Sequence, residues 1–113
     1  MDDAVRQATA FRVANFNPGI KGTRRNFRVR LTDWQGQLWM VAKDVGEAIG
    51  WHPDTWRHRR EQALNGHQWG YASTPTARGT QMMGLVSKEA LSELVKGSTA
   101  RQARAFRRWL VAL

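Results

Sequence analysis

Between Phe27 and Thr32 apolar and polar side chains alternate without a break: Phe27, Val29 and Leu31 on one side, Arg28, Arg30 and Thr32 on the other. Successive side chains of an extended chain point to opposite faces, so this run is a β-strand with one greasy face and one basic face. It needs partners. Asp33-Trp34-Gln35-Gly36 can turn the chain, and Gln37 to Ala42 can return it as the second arm of a hairpin. Upstream, Phe11, Val13 and Phe16 read as a short first strand that ends at the turn signal Asn17-Pro18-Gly19. Downstream, residues 67–73 and 80–87 read as two more strands, joined by a longer loop from Thr74 to Gly79.

The period changes to that of a helix in four places. Val45, Ala48 and Ile49 recur at i, i+3, i+4, with Gly50 as a left-handed stop. Pro53 suits the first turn of a second helix running to about Leu64, with Asn65-Gly66 ending it. Ser87 is placed to cap a third through the backbone N–H of Ala90; Leu91, Leu94 and Val95 form its stripe, and Gly97 stops it. The fourth is capped by Ser98 or Thr99. On it, Ala103, Phe106, Trp109, Leu110 and Leu113 share one arc while Arg101, Arg104, Arg107 and Arg108 fill the next. Hairpins alternating with helices argue for an α+β domain, small antiparallel β-hairpins packed with several short helices that cover one side.

At 113 residues one core is expected. Absence of cysteine excludes disulfides, thiolate nucleophiles and cysteine-ligated zinc. The acidic start Met1-Asp2-Asp3 is unlike a signal peptide, and no run of about 18 apolar residues is present, so a soluble protein of the cytoplasm is expected. Eighteen Lys and Arg against nine Asp and Glu leave a net charge of +9, which points to an anionic polymer or surface as the partner.

Three cationic groups are the candidate DNA contacts. Lys43 opens the first helix, and Arg57, His58, Arg59 and Arg60 lie on the second, together a helix-break-helix unit whose second helix is the expected reader. Arg24, Arg25, Arg28 and Arg30, with Lys21, form a second patch or an arm for the minor groove. Arg101, Arg104 and Arg108 form the third. Arg78, at a hairpin tip, reads as a solvated charge. Trp39 and Trp109 are expected in the core, Trp34 and Trp51 exposed, and Trp56 either buried or stacked on a sugar. His52, His58 and His67 lack metal-ligand spacing. The pair Asp44 and Glu47 needs only a helix N-terminus for its explanation, where the dipole stabilises a carboxylate by about 0.3–1 kcal/mol. A Mg²⁺-dependent nuclease built on that pair is the weakest reading; no enzyme and no cofactor are expected.

The order of these pieces resembles the Bro-N family, found at the N-terminus of phage antirepressors and of baculovirus repeated-ORF proteins. Phe27-Arg28-Val29-Arg30 is similar to its opening strand, and Leu38-Trp39-Met40-Val41-Ala42-Lys43-Asp44-Val45 to its aromatic strand running into Ala-Lys-Asp-Val. Ala48-Ile49-Gly50-Trp51 resembles its helix end, residues 80–87 its second hairpin arm, and residues 98–109 its closing helix. Two departures stand out: the segment from Thr55 to Asn65 diverges and is rich in Arg, and the ending common in the family beyond the tryptophan is missing here. The resemblance divides the chain into a basic, partly flexible segment at 1–25 that carries the first strand, and a Bro-N-like domain at 26–113.

The resemblance implies a phage- or prophage-type regulator that binds duplex DNA in a bacterial host. The alternative is an antirepressor that docks a repressor or host factor without DNA. A homodimer is expected, with Leu110 and Leu113 at the end of the last apolar stripe as its contact.

Overall fold

A computed structural model describes residues 11–34, 36–63, 69–96, 98 and 100–113. The expectations placed on Gln35, Leu64, Asn65-Gly66, His67, Gly97 and Thr99 lie outside the described residues, as do residues 1–10. In chain order the elements are β1 (Arg12–Phe16), β2 (Phe27–Trp34), β3 (Gln37–Val41), α1 (Ala42–Ile49), α2 (Pro53–Ala63), β4 (Trp69–Thr76), β5 (Gly79–Ser87), α3 (Lys88–Val95) and α4 (Arg101–Ala112).

The strands form one antiparallel sheet in the order β1-β2-β3-β5-β4. This is more unified than separate hairpins. β3 pairs with β5 over Trp39↔Ser87, Met40↔Val86 and Val41↔Leu85, and so joins the two strand pairs. The second hairpin is also tighter than its sequence suggests: its ladder runs unbroken to Thr76↔Gly79, leaving Ala77 and Arg78 as the turn, with Gly79 at φ +95°. Pro75 sits inside β4 without disrupting the ladder because β4 is an edge strand, where a missing N–H is tolerated.

All four helices of the described residues contribute to the core on one face of the sheet. Phe16, Phe27, Val29, Leu31, Met40 and Val86 meet Val45, Ile49, Trp56, Leu91, Phe106 and Leu110 there. The alternation of β2 is thus realised as read. In β1 the packed parity is the other one: Phe16 is buried and Ala14 packs beside it, whereas Val13 is exposed. Phe11 and Val13 are an odd number of residues from Phe16 and point to the second face. That face carries a smaller cluster of Trp39, Val41 and Leu85, with Phe11, Trp34 and Met83 against it. Trp39 is therefore buried as expected, Trp34 is half-buried against it rather than exposed, and Trp51 is half-buried beside Trp56.

The caps follow local chemistry with one exception. The Ser87 hydroxyl accepts the N–H of Ala90 at 3.1 Å, and Gly50 ends α1 at φ +84°. α4, however, has Ala100 as its N-cap with no side-chain cap, so Ser98 does not hold that position. Instead Gln102 fastens the new helix to the old one, its Nε2 donating to the carbonyl of Ala48 at 2.7 Å.

The end of α4 corrects the placing of Leu110 as a dimer contact. Leu110 is buried in the chain's own core, one helical turn beyond Phe106, whereas Leu113 is exposed, as is Val111. Leu110→Ala should therefore cost about 2–5 kcal/mol in urea unfolding, as a core truncation does, with no change in sedimentation behaviour. Gly46 gives a second check. A Cβ there would lie 2.5 Å from Cδ1 of Trp56, whose indole N–H donates to the carbonyl of Ala42 at 2.6 Å. Gly46→Ala should lower the melting temperature: its helix-propensity gain of about 1 kcal/mol is outweighed by overpacking against a fixed indole.

Candidate nucleic-acid interface

The site begins where β3 stops. β2 continues from Arg30 back to Phe27 and β5 from Gly84 out to Gly79, but after Val41 the chain leaves the sheet as α1. The sheet is thus forked, with β1–β2 as one prong and the β4–β5 hairpin as the other. Between the prongs lie two adjoining cavities of about 520 and 360 Å³, which share Arg30, Thr76 and Ala77.

Asp44, in the first turn of α1, fills the missing ladder position. Its carboxylate accepts the backbone N–H of Arg30 at 2.9 Å and binds that guanidinium through Nε and one terminal nitrogen, each at 2.8 Å. Asp44 is buried and Arg30 largely so. The paired carboxylate holds the Arg30 pKa above its ordinary value, against the opposing effect of burial. The helix dipole alone thus understates Asp44, which joins β2 to α1. Breaking a buried pair by removing one partner strands a charge, so Asp44→Ala should cost about 3–5 kcal/mol by thermal or chemical unfolding. A cost below about 1 kcal/mol, the range of a dipole effect, would show the carboxylate to be a simple helix-terminal charge.

Around this pair the cleft collects cations from separate parts of the chain. Arg28 and Arg30 come from β2, Lys43 from α1 and Arg78 from the hairpin turn. Arg28, Lys43 and Arg78 are exposed, and Asp44, the carboxylate in the lining, is already bound to Arg30. Phe11, Val13 and Met83 supply apolar wall. Arg28 and Arg30 are ladder residues opposite Asn15 and Val13, so they are not part of a free arm. Arg24 too is tied down, stacked 4.6 Å over the Phe27 ring with its Nε donating to the carbonyl of Asn26, while Arg25 is exposed. Arg78, read from sequence as a solvated tip, is the residue that local reasoning missed: only the β3–β5 pairing brings it to the cleft.

The helix-break-helix unit divides. Lys43 faces the cleft, whereas Arg57 and Arg60 line a separate pocket with Glu61, Tyr71 and Gly84; Met83 borders the first and Gly84 the second. On α2, Arg57 pairs with Asp54 at 3.4 Å, Arg59 lies over Trp51, Arg60 lies over the buried Trp56, and His58 is exposed. Trp56 thus anchors the helix in the core. Arg101, Arg104, Arg107 and Arg108 are all exposed along α4.

Among the described residues no cluster of three or more His, Asp or Glu could hold a metal ion, and no helix is long and apolar enough to cross a membrane. A family profile described as BRO family, N-terminal domain (Bro-N), matches residues 26–112. Comparisons with curated proteins and with solved structures give no match.

Proposed function

The chain belongs to the Bro-N family, and on that premise we propose that it is a phage-type regulatory protein that binds duplex DNA, with the forked cleft as its principal phosphate contact. The observation that carries the proposal is the convergence of Arg28, Lys43 and Arg78 around an Arg30–Asp44 pair that leaves no free carboxylate in the lining. Phosphate neutralisation needs cations held close together with few competing anions, and guanidinium groups meet phosphate oxygens with matching geometry. Arg30, with two of its five side-chain N–H donors engaged by Asp44, keeps others for the cleft. The exposed α4 arginines add attraction at longer range. No catalytic step is part of this reading.

Wild-type protein should bind duplex DNA with submicromolar affinity at low salt, measured by fluorescence anisotropy, and log affinity should fall linearly with log salt. Replacing Arg28, Lys43 and Arg78 with alanine should flatten that slope by about 0.9 for each phosphate no longer neutralised. The same number of replacements at Arg101, Arg104 and Arg108 should weaken binding less. Equal losses would reduce the cleft to one part of a diffuse basic surface. Failure to bind any duplex would turn the reading toward an acidic protein partner, such as a repressor.

A further inference from the structure

We propose that β4 is a pairing edge for a second copy of the chain: the two β4 strands meet antiparallel across a twofold axis and join both sheets into one. A sheet in the order β1-β2-β3-β5-β4 has two edges, and they differ. β1 is five residues long and carries Arg12, which is paired with Asp33. Short length and a charged side chain are ordinary means of keeping an edge from taking up another strand. β4 has eight residues and no charged one. Its outer side pairs with no strand among the described residues, and an antiparallel edge directs the N–H and C=O of every second residue outward. Pro75 lacks an N–H and limits pairing near the turn, which leaves residues 69–74 for a partner strand.

Charge selects the occupant. The chain carries a net charge of +9, so two copies repel wherever their cations meet, and an acidic partner would be drawn to those same cations. No Asp, Glu, Lys or Arg lies between Glu61 and Arg78, the longest such interval in the sequence. Arg57 and Arg60, which border the strand at Tyr71, have Glu61 beside them, and Arg57 is paired with Asp54. At this neutral edge like copies meet with least repulsion, and an acidic partner finds no attraction. Apolar surface lies there too. On the face where Val86 is buried, Tyr71 stands across from Gly84 and Ser73 across from Met82, and both Tyr71 and Met82 are exposed. A strand laid along β4 would cover the flank of this patch. Antiparallel pairing of a strand with its own copy is self-complementary, as a twofold contact requires, and with the axis near Ala72 it sets Ser73 close to its counterpart. From β4 the forked cleft takes Thr76, beyond the pairing residues, so the contact leaves the cleft open.

Sedimentation equilibrium of the full chain tests the edge. Wild type should form dimers as protein concentration rises, and sodium chloride should strengthen them, because salt screens the repulsion between two positive copies. A dimer held by contacts between basic and acidic surfaces would weaken with salt instead, against the proposal. Ser73 is exposed, so its replacement should leave the fold intact, which melting curves check. Ser73→Lys and Ser73→Glu should each weaken the dimer about threefold or more at low salt, by setting like charges across the junction. An equal mixture of the two variants should restore mixed dimers at least as stable as the wild type, a rescue that simple damage to the hairpin would not give. Amide hydrogen exchange should show protection in β4 that rises with protein concentration. A wild type that stays monomeric at high micromolar concentration in all salts, a dimer that neither Ser73 variant weakens, or protection confined to the end of α4 would overturn the proposal.

Discussion

The fold turns on the carboxylate of Asp44. An antiparallel sheet that loses a strand partway along its length exposes the N–H groups of the neighbour, and here that neighbour is β2 at Arg30. Ending a central strand in this way without a substitute acceptor would leave a donor unsatisfied at the edge of the core. Asp44 takes the place of the missing carbonyl and binds the guanidinium of the same residue, so one side chain closes the ladder and neutralises the charge beside it. Everything beyond depends on this. α1 can leave the sheet at Ala42, the prongs can separate, and a cleft lined by cations can exist between them without β2 fraying.

A second constraint sets the helices. α1 carries glycine at its centre, where alanine would ordinarily be favoured, because the indole of Trp56 lies against that position and bonds to the first carbonyl of the helix. The close approach locks α2 onto α1 and directs Arg60 along the indole toward Gly84. Gly46 is thus needed for space rather than for backbone freedom, and through the indole of Trp56 it helps to determine where Arg60 is held.

Much of this was legible in the sequence because it is encoded locally. The parity of β2, the Ser87 cap, the left-handed Gly50 and the apolar arc of α4 each need only a few neighbouring residues to be recognised. What was not legible depends on contacts distant in the chain. The β3–β5 pairing joins segments far apart in sequence, and without it Arg78 is an isolated charge; Asp44 reads as an ordinary helix-terminal carboxylate until α1 is set against β2 at Arg30. Leu110 was misplaced for a related reason: the stripe is visible in the sequence, but how far the sheet and α3 extend to cover it is not. β1 shows the limit of periodicity itself, since three apolar residues of mixed parity cannot all face one side.

Net charge was the strongest compositional signal, and the structure shows how unevenly that charge is available. Arg12, Arg30 and Arg57 are paired with Asp33, Asp44 and Asp54. Arg24, Arg59 and Arg60 are stacked on aromatic rings, where cation–π attraction and lost rotamer freedom hold the guanidinium in place. Arg28, Lys43, Arg78 and the α4 arginines remain exposed. These groups suit different tasks. Exposed, flexible cations attract a polyanion from a distance and tolerate many positions of it, whereas a stacked guanidinium has already lost its conformational freedom and discriminates by geometry. On the proposed DNA-binding reading, a surface combining both would draw in a charged backbone broadly and then hold it in one register, so that the position of a few arginines would count for more than their number.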